Sequence, residues 1–311
     1  MITALIISLA LAIVLLISGI LFISVKFAMM ILHPNVHTTE SMLKEAYEFG
    51  RFTPEFIEAL NKEPIVIRSG YGYDMHGFIL NNDISLKPEN SSKVAILCHG
   101  YTSGKLVMSG YAAILMDLGF TCIVYDHRNH GDNTHDVVTT MGYYEKEDLK
   151  TVLDFAYERF GNNIRILTYG ESMGSATVLS HLEIDDRPVM TIADCGYSDL
   201  TDLCRYLTKE VYHLPIFPIV PIAAKIIKSK GKFDIKDVSP KKGVIKAKTP
   251  ILFIHGDKDT FVPTRMSVEM SKLGEGIREL YLCKGAEHAQ SATLSPEEYR
   301  EKVTEFINKY Y

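Results

Sequence analysis

The stretch Ile164-Arg165-Ile166-Leu167-Thr168-Tyr169-Gly170-Glu171-Ser172-Met173-Gly174, continued by Ser175 to Leu182, changes its period in the middle. Its first part is β-branched and apolar and follows Gly161-Asn162-Asn163, which reads as a bounded strand. Its last part carries Ala176, Val178, Leu179 and Leu182 at helical spacing. Between the two lies G-x-S-x-G. In a strand-to-helix turn this pattern lifts a serine hydroxyl clear of the sheet, and the glycines let two backbones pass closely. Ser172 is therefore the candidate nucleophile. The spacing alone recurs by chance; strand, turn and helix together are far more specific.

A serine hydroxyl is a poor nucleophile at neutral pH and requires a base, an orienting acid and oxyanion donors. Downstream, Thr249-Pro250 opens the apolar run Ile251 to Ile254, which ends in His255-Gly256-Asp257-Lys258-Asp259. Leu280-Tyr281-Leu282 reads as a further strand and leads to Gly285-Ala286-Glu287-His288. The order serine, acid, histidine is the one used behind an elbow of this kind. His288, in a loop just past a strand, is the candidate base. Three carboxylates compete for the acid: Asp259, Asp257 in the same turn, and Asp194 after the strand-like Val189 to Ala193. Two backbone amides should form the oxyanion hole, that of Met173 after the nucleophile and one in the loop His99-Gly100-Tyr101-Thr102-Ser103-Gly104, where Tyr101 is the candidate.

With Asp126-His127-Arg128-Asn129-His130-Gly131, Gly256-Asp257-Lys258-Asp259, Val262-Pro263 and Glu287-His288, these motifs make the chain resemble the alpha/beta-hydrolase superfamily. It is most similar to the lipase, esterase and serine-aminopeptidase branch with an H-G-Y oxyanion loop and a G-E-S-M-G elbow. The likeness runs from about Pro64 to the C-terminus. It implies Ser172 as nucleophile, Asp259 as orienter, His288 as base, and the Tyr101 and Met173 amides as oxyanion donors. It implies no organic cofactor and no metal.

The segment Asp126 to Asp136 holds three histidines and three aspartates, donors that a metal could use. They fit no tight ligand spacing, and Arg128 suits the loop D-x-R-x-x-G better. His99 and His255, each before a glycine at a strand end, read as loop residues. Glu171 reads as a position free to vary. Cys98, Cys122, Cys195, Cys204 and Cys283 show no pairing pattern and read as free thiols.

Ile2 to Val25 carries no charge and no proline. At 1.5 Å per residue, about 24 residues reach about 36 Å, enough for a hydrocarbon core near 30 Å. A cleaved signal peptide fits less well, because a basic n-region and an A-x-A-like site are missing. The expectation is a single-pass anchor over 1–26, a connecting segment over 27–63, and a catalytic domain over 64–311. The side of the membrane is left open, with Lys26 and the free thiols pointing to the cytoplasm.

From Ile65 onward a hairpin and then alternating strands and helices predict an α/β fold, a mostly parallel sheet covered on both faces. An insertion over about 198–247, whose middle is apolar and broken by Pro215, Pro218 and Pro221, is expected to form a small helical cap, with an underside that either accepts an acyl chain or merely packs on the sheet. The net charge of −5 and the lack of a basic cluster exclude nucleic acid as a partner. The sequence thus points to a membrane-anchored serine hydrolase acting on a small acyl ester or lipid. A peptidase or amidase of the same fold is the alternative. A non-catalytic scaffold would have lost one of the motifs, and all are present.

Overall fold

The computed structural model describes residues 1–81, 92–133 and 137–311. Among them, eight strands form one sheet: β1 (Lys62–Arg68), β2 (Asp74–Leu80), β3 (Lys93–Cys98), β4 (Thr121–Tyr125), β5 (Arg165–Glu171), β6 (Pro188–Asp194), β7 (Ile251–Gly256) and β8 (Arg278–Cys283). Their order is β1-β2-β4-β3-β5-β6-β7-β8. β1 and β2 form an antiparallel hairpin and β2 runs antiparallel to β4; the remaining pairs are parallel. The mostly parallel sheet expected from the alternation of patterns is present.

The helices in chain order are α1 (Ile2–Leu32), α2 (Thr39–Glu48), α3 (Pro54–Ala59), α4 (Ser109–Asp117), α5 (Glu145–Phe160), α6 (Met173–His181), α7 (Leu200–Tyr206), α8 (Ile216–Gly231), α9 (Pro240–Lys246), α10 (Arg265–Met270), α11 (Ser291–Leu294) and α12 (Pro296–Tyr310). β3 shows why the central strands read as unbroken apolar runs. Its Ala95 and Leu97 pack against Leu115 of α4 and Phe306 of α12 on one face. Its Val94, Ile96 and Cys98 pack with Leu149 of α5 and Val178 of α6 on the other. Both faces are buried, so no polar alternation is required.

α1 is long and apolar enough to cross a membrane. Its first half is exposed, whereas Ser24, Ala28 and Leu32, spaced by four, are buried. That stripe packs along α8. A Cβ built on Gly231 would lie 2.7 Å from Leu32 Cδ2, so a side chain there would displace Leu32 from its seat where the two helices meet. The Leu32 carbonyl accepts the Thr139 amide at 3.0 Å and Asn129 Nδ2 at 3.3 Å. The ring of Phe27 meets Tyr212 edge-on at 5.0 Å. The helix thus runs past residue 26 and its last three turns are part of the folded domain. Thr38 and Thr53 then cap α2 and α3 through the amides of Ser41 and Phe56.

Candidate active site

The elbow is built where β5 meets α6. Ser172 has φ 55° and ψ −113°, a conformation that costs about 1–3 kcal/mol in a non-glycine residue and is kept only when its surroundings impose it. They do. A Cβ on Gly170 would lie 2.2 Å from the Gly174 carbonyl oxygen, and one on Gly174 would lie 2.0 Å from the Cys98 carbonyl oxygen. The glycines let β3, β5 and α6 converge beneath the serine. The Ser172 amide donates to the Asp194 carbonyl at 2.8 Å and ties the turn to β6.

The structure brings Ser172, His288 and Asp259 together. Ser172 Oγ lies 2.9 Å from His288 Nε2, and His288 Nδ1 lies 2.7 Å from Asp259 Oδ2. A carboxylate can only accept, so Nδ1 carries the proton and Nε2 is free to take that of Ser172. Asp259 Oδ1 accepts the amides of Phe261 and Val262 at 2.9 and 2.8 Å. His255 Nε2 donates to Asp259 Oδ2 and to the Val262 carbonyl, while its Nδ1 accepts from Ser267. Burial alone would raise the Asp259 carboxyl, but the hydrogen bonds from His255 and His288 hold it well below the usual carboxylate range. His255 lies in β7, one residue before its end, and not in a loop as its sequence reading had it; from the strand it holds Asp259 by a hydrogen bond.

The two rival carboxylates sit elsewhere. Asp257 is exposed and accepts the Gly285 amide at 2.7 Å, the turn chemistry common for aspartate. Asp194 is buried behind the elbow, where Tyr299 donates to its Oδ2 at 2.8 Å and its Oδ1 has no partner among the described residues. Burial, followed by the charge of Glu171, pushes the Asp194 carboxyl up to about 7. In the unfolded chain that carboxyl ionises near its ordinary value of about 4, so rising pH favours unfolding until about pH 7. Asp194→Asn removes this penalty. Its Tm relative to the native chain is therefore expected to rise by a few degrees between about pH 4 and about pH 7 and to level off above, read by thermal melts at stepped pH. A constant difference would mean that Asp194 is ionised throughout.

Of the two candidate oxyanion donors, Met173 follows Ser172 directly and Tyr101 lines the cavity beside it. No hydrogen bond among the described residues uses either amide. Met173 is the first residue of α6, where the helix dipole adds positive potential. The histidine-rich loop secures the Tyr101 turn from behind. His130 Nε2 accepts the Thr102 amide at 3.1 Å, His99 Nε2 accepts the His127 amide at 2.9 Å, and Thr102 takes φ 61°. Asp126 receives Lys105 at 2.5 Å and the amides of Lys105 and Asp132. Among the described residues no three histidine, cysteine or carboxylate side chains converge on one point. His135 and Asp136, counted among the metal donors in the sequence, lie outside the described residues.

A cavity of about 270 Å³ opens over Ser172 and His288. One wall comes from the connecting segment: His37, Met42, Glu45, Ala46, Phe49 and Arg51. No residue of the insertion 198–247 lines it. The expected acyl-accepting role of that insertion is therefore corrected. α8 packs against α1, and its apolar positions are occupied there rather than over the serine.

Glu171 also departs from its reading as a variable position. Arg51 Nη1 donates to Glu171 Oε2 at 2.6 Å, and the Tyr111 hydroxyl donates to the same oxygen. Arg51 Nη2 donates to the carbonyl of Ala289, the neighbour of His288, at 3.2 Å. One guanidinium thus joins the connecting segment, the elbow and the histidine loop. Sequence could not supply this contact, since Arg51 and Glu171 lie 120 residues apart.

Residues 89–193 match the family of serine aminopeptidases, S33. The uncharacterized protein YqkD of Bacillus subtilis is 32% identical over 300 residues, covering 96% of either chain. Among solved structures, the esterase Pf2001 of Pyrococcus furiosus superposes with a TM-score of 0.65 at 22% identity, over 83% of this chain and 96% of that one. Est1E of Butyrivibrio proteoclasticus, seen with ferulic acid bound, gives 0.62 at 20% identity over 79% and 98%. The acylaminoacyl peptidase of Pyrococcus horikoshii gives 0.60 at 17% identity over 81% of this chain and 42% of its own. At these identities the structural likeness shows the fold alone. Whole-length similarity, the family match and the shared fold agree: the chain belongs to the alpha/beta-hydrolase superfamily.

Proposed function

We propose that this hydrolase is a membrane-anchored serine esterase that cleaves carboxylic esters with an apolar acyl group through an acyl-enzyme. The observation that carries the reading is the continuous hydrogen-bond relay Ser172–His288–Asp259 at the floor of an open cavity. His288 takes the Ser172 proton as Oγ attacks the carbonyl carbon, and the amides of Tyr101 and Met173 hold the oxyanion. His288 then protonates the departing alkoxide. Water, deprotonated by His288, releases the acid and restores Ser172. Met42, Phe49 and Val107 give the cavity an apolar side suited to an acyl chain. The Tyr101 hydroxyl donates to the Met30 carbonyl, which keeps the site next to the last turn of α1 and hence near the bilayer that α1 would cross.

One observation favours a second reading, peptidase or amidase. Glu45 stands exposed at the cavity rim and could face a substrate's amino terminus, whereas Glu171 is already engaged by Arg51. The test has two parts. Intact-mass analysis after treatment with a fluorophosphonate should show one adduct on the native chain and none on Ser172→Ala. A series of p-nitrophenyl esters of increasing chain length is then compared with aminoacyl p-nitroanilides. Turnover rising with acyl length and negligible on anilides is expected; the reverse would give the second reading, and no adduct on folded native protein would remove both.

A further inference from the structure

α8 runs parallel to α1. Gly231, the last residue of α8, abuts Leu32, the last residue of α1. The two helices nevertheless pack along an extended seam, so α8 can only extend back beside α1 toward its N-terminus. Burial on α1 agrees, since its covered side begins at Ile20 and is complete at Ser24. Equal steps back from the Leu32–Gly231 pair bring Lys225 level with Lys26 and Pro218, where the regular helix begins, level with about Gly19; Phe217 precedes it in extended backbone.

This register sets a depth. A hydrocarbon core near 30 Å takes about 20 helical residues, so one that starts at Ile2 ends near Leu21. Lys26 and Lys225 then stand at headgroup level, where long basic side chains keep their charge in water. The N-terminal end of α8 stands lower, whereas the turn before it, where Tyr212 meets Phe27 and the Met30 sulfur, stands above Lys26. At the lower end Phe217 is 78% exposed, and Pro221, one turn on, is exposed as well. Such an apolar, aromatic tip with lysines one level above has the chemistry of an interfacial membrane anchor.

We propose that the cap tip, Ile216 to Ile222, inserts into the headgroup–acyl boundary of the bilayer crossed by α1, as a second and non-spanning membrane contact that fixes the tilt of the catalytic domain. The proposal rests on the reading of α1 as a membrane span. It gives the insertion a role away from the cavity.

The chain contains no tryptophan, so single tryptophans report depth without background. The full chain is reconstituted in vesicles of phosphatidylcholine and phosphatidylglycerol, with and without lipid brominated on its acyl chains. Three variants are compared: Leu11→Trp in α1, Phe217→Trp at the tip, and Ile277→Trp just before β8, at the opposite end of the sheet from the site. Quenching of about two-fold or more at positions 11 and 217, with a blue-shifted emission, and none at 277 is the expected result. Quenching at 11 without quenching at 217 would overturn the tip insertion and leave the anchor in place. Absence of quenching at both would remove the anchor reading, and the tip with it. Matching melting curves for the variants and the native chain establish that each is folded.

Discussion

Asp259→Asn is expected to lower kcat for an activated acyl ester by about 10⁴-fold, while Asp194→Asn and Asp257→Asn are expected to stay within a few-fold of the native chain. The reason is tautomeric. The Asp259 carboxylate accepts from His288 Nδ1 at 2.7 Å and so leaves Nε2 unprotonated opposite Ser172 Oγ. An asparagine keeps Oδ1 as acceptor for the amides of Phe261 and Val262 and turns its NH₂ toward His288. Nδ1 must then accept, Nε2 carries the proton, and the base is lost although the geometry is kept. Because the acid titrates well below the usual carboxylate range, the native chain keeps its base-orienting charge throughout the neutral and mildly acid range. Steady-state kinetics on the three variants decide the matter. A large loss in Asp194→Asn with native melting would transfer the role to that residue.

Arg51→Met is the change with the largest expected cost in stability. It leaves Glu171, only 5% exposed in its side chain, with Tyr111 alone as partner. Stripping one member from a buried ion pair costs about 3–5 kcal/mol, or roughly 10 °C in Tm for a domain of this size. The activity effect is separate. Arg51 also holds the Ala289 carbonyl at 3.2 Å, and displacement of His288 by about 1 Å can cost on the order of 10²-fold in rate. The loss should fall on kcat rather than KM. Arg51→Met combined with Glu171→Leu removes both charges and should recover most of the melting temperature while kcat stays low, since Ala289 is still unheld. Recovery of both together would make Arg51 a stabilising residue only, and an unchanged Tm in the single variant would show that Glu171 needs no cation.

The parts of this protein that sequence made legible are those in which a local pattern carries the chemistry. Ser172 is announced by two glycines whose absent side chains are required within 2–3 Å of other backbones. β3 and β7 carry the unbroken apolar runs Val94 to Cys98 and Ile251 to Ile254 because both of their faces are covered. Asp259 and His288 follow in loops at strand ends, although the choice among three carboxylates needed the fold. Asp257 and Asp259 share one turn, and only their direction separates them. What pattern could not show is long-range pairing. Glu171 looks variable until Arg51 is seen against it, and residues 37–51 look like a linker until they are seen as a wall of the cavity. The insertion misled for a related reason. Its apolar side chains mark burial, but α1, not an acyl chain, covers Ala223 and Ile227.

The seam between α1 and α8 bears on how a water-soluble form could be made by deletion. Cutting after residue 32 would uncover Ala223 and Ile227 and strip the Thr139 amide of its acceptor, the Leu32 carbonyl. A chain begun near Gly19 discards the exposed apolar half of the helix, keeps Ser24, Ala28 and Leu32 in their seats, and retains Met30 as acceptor for the Tyr101 hydroxyl.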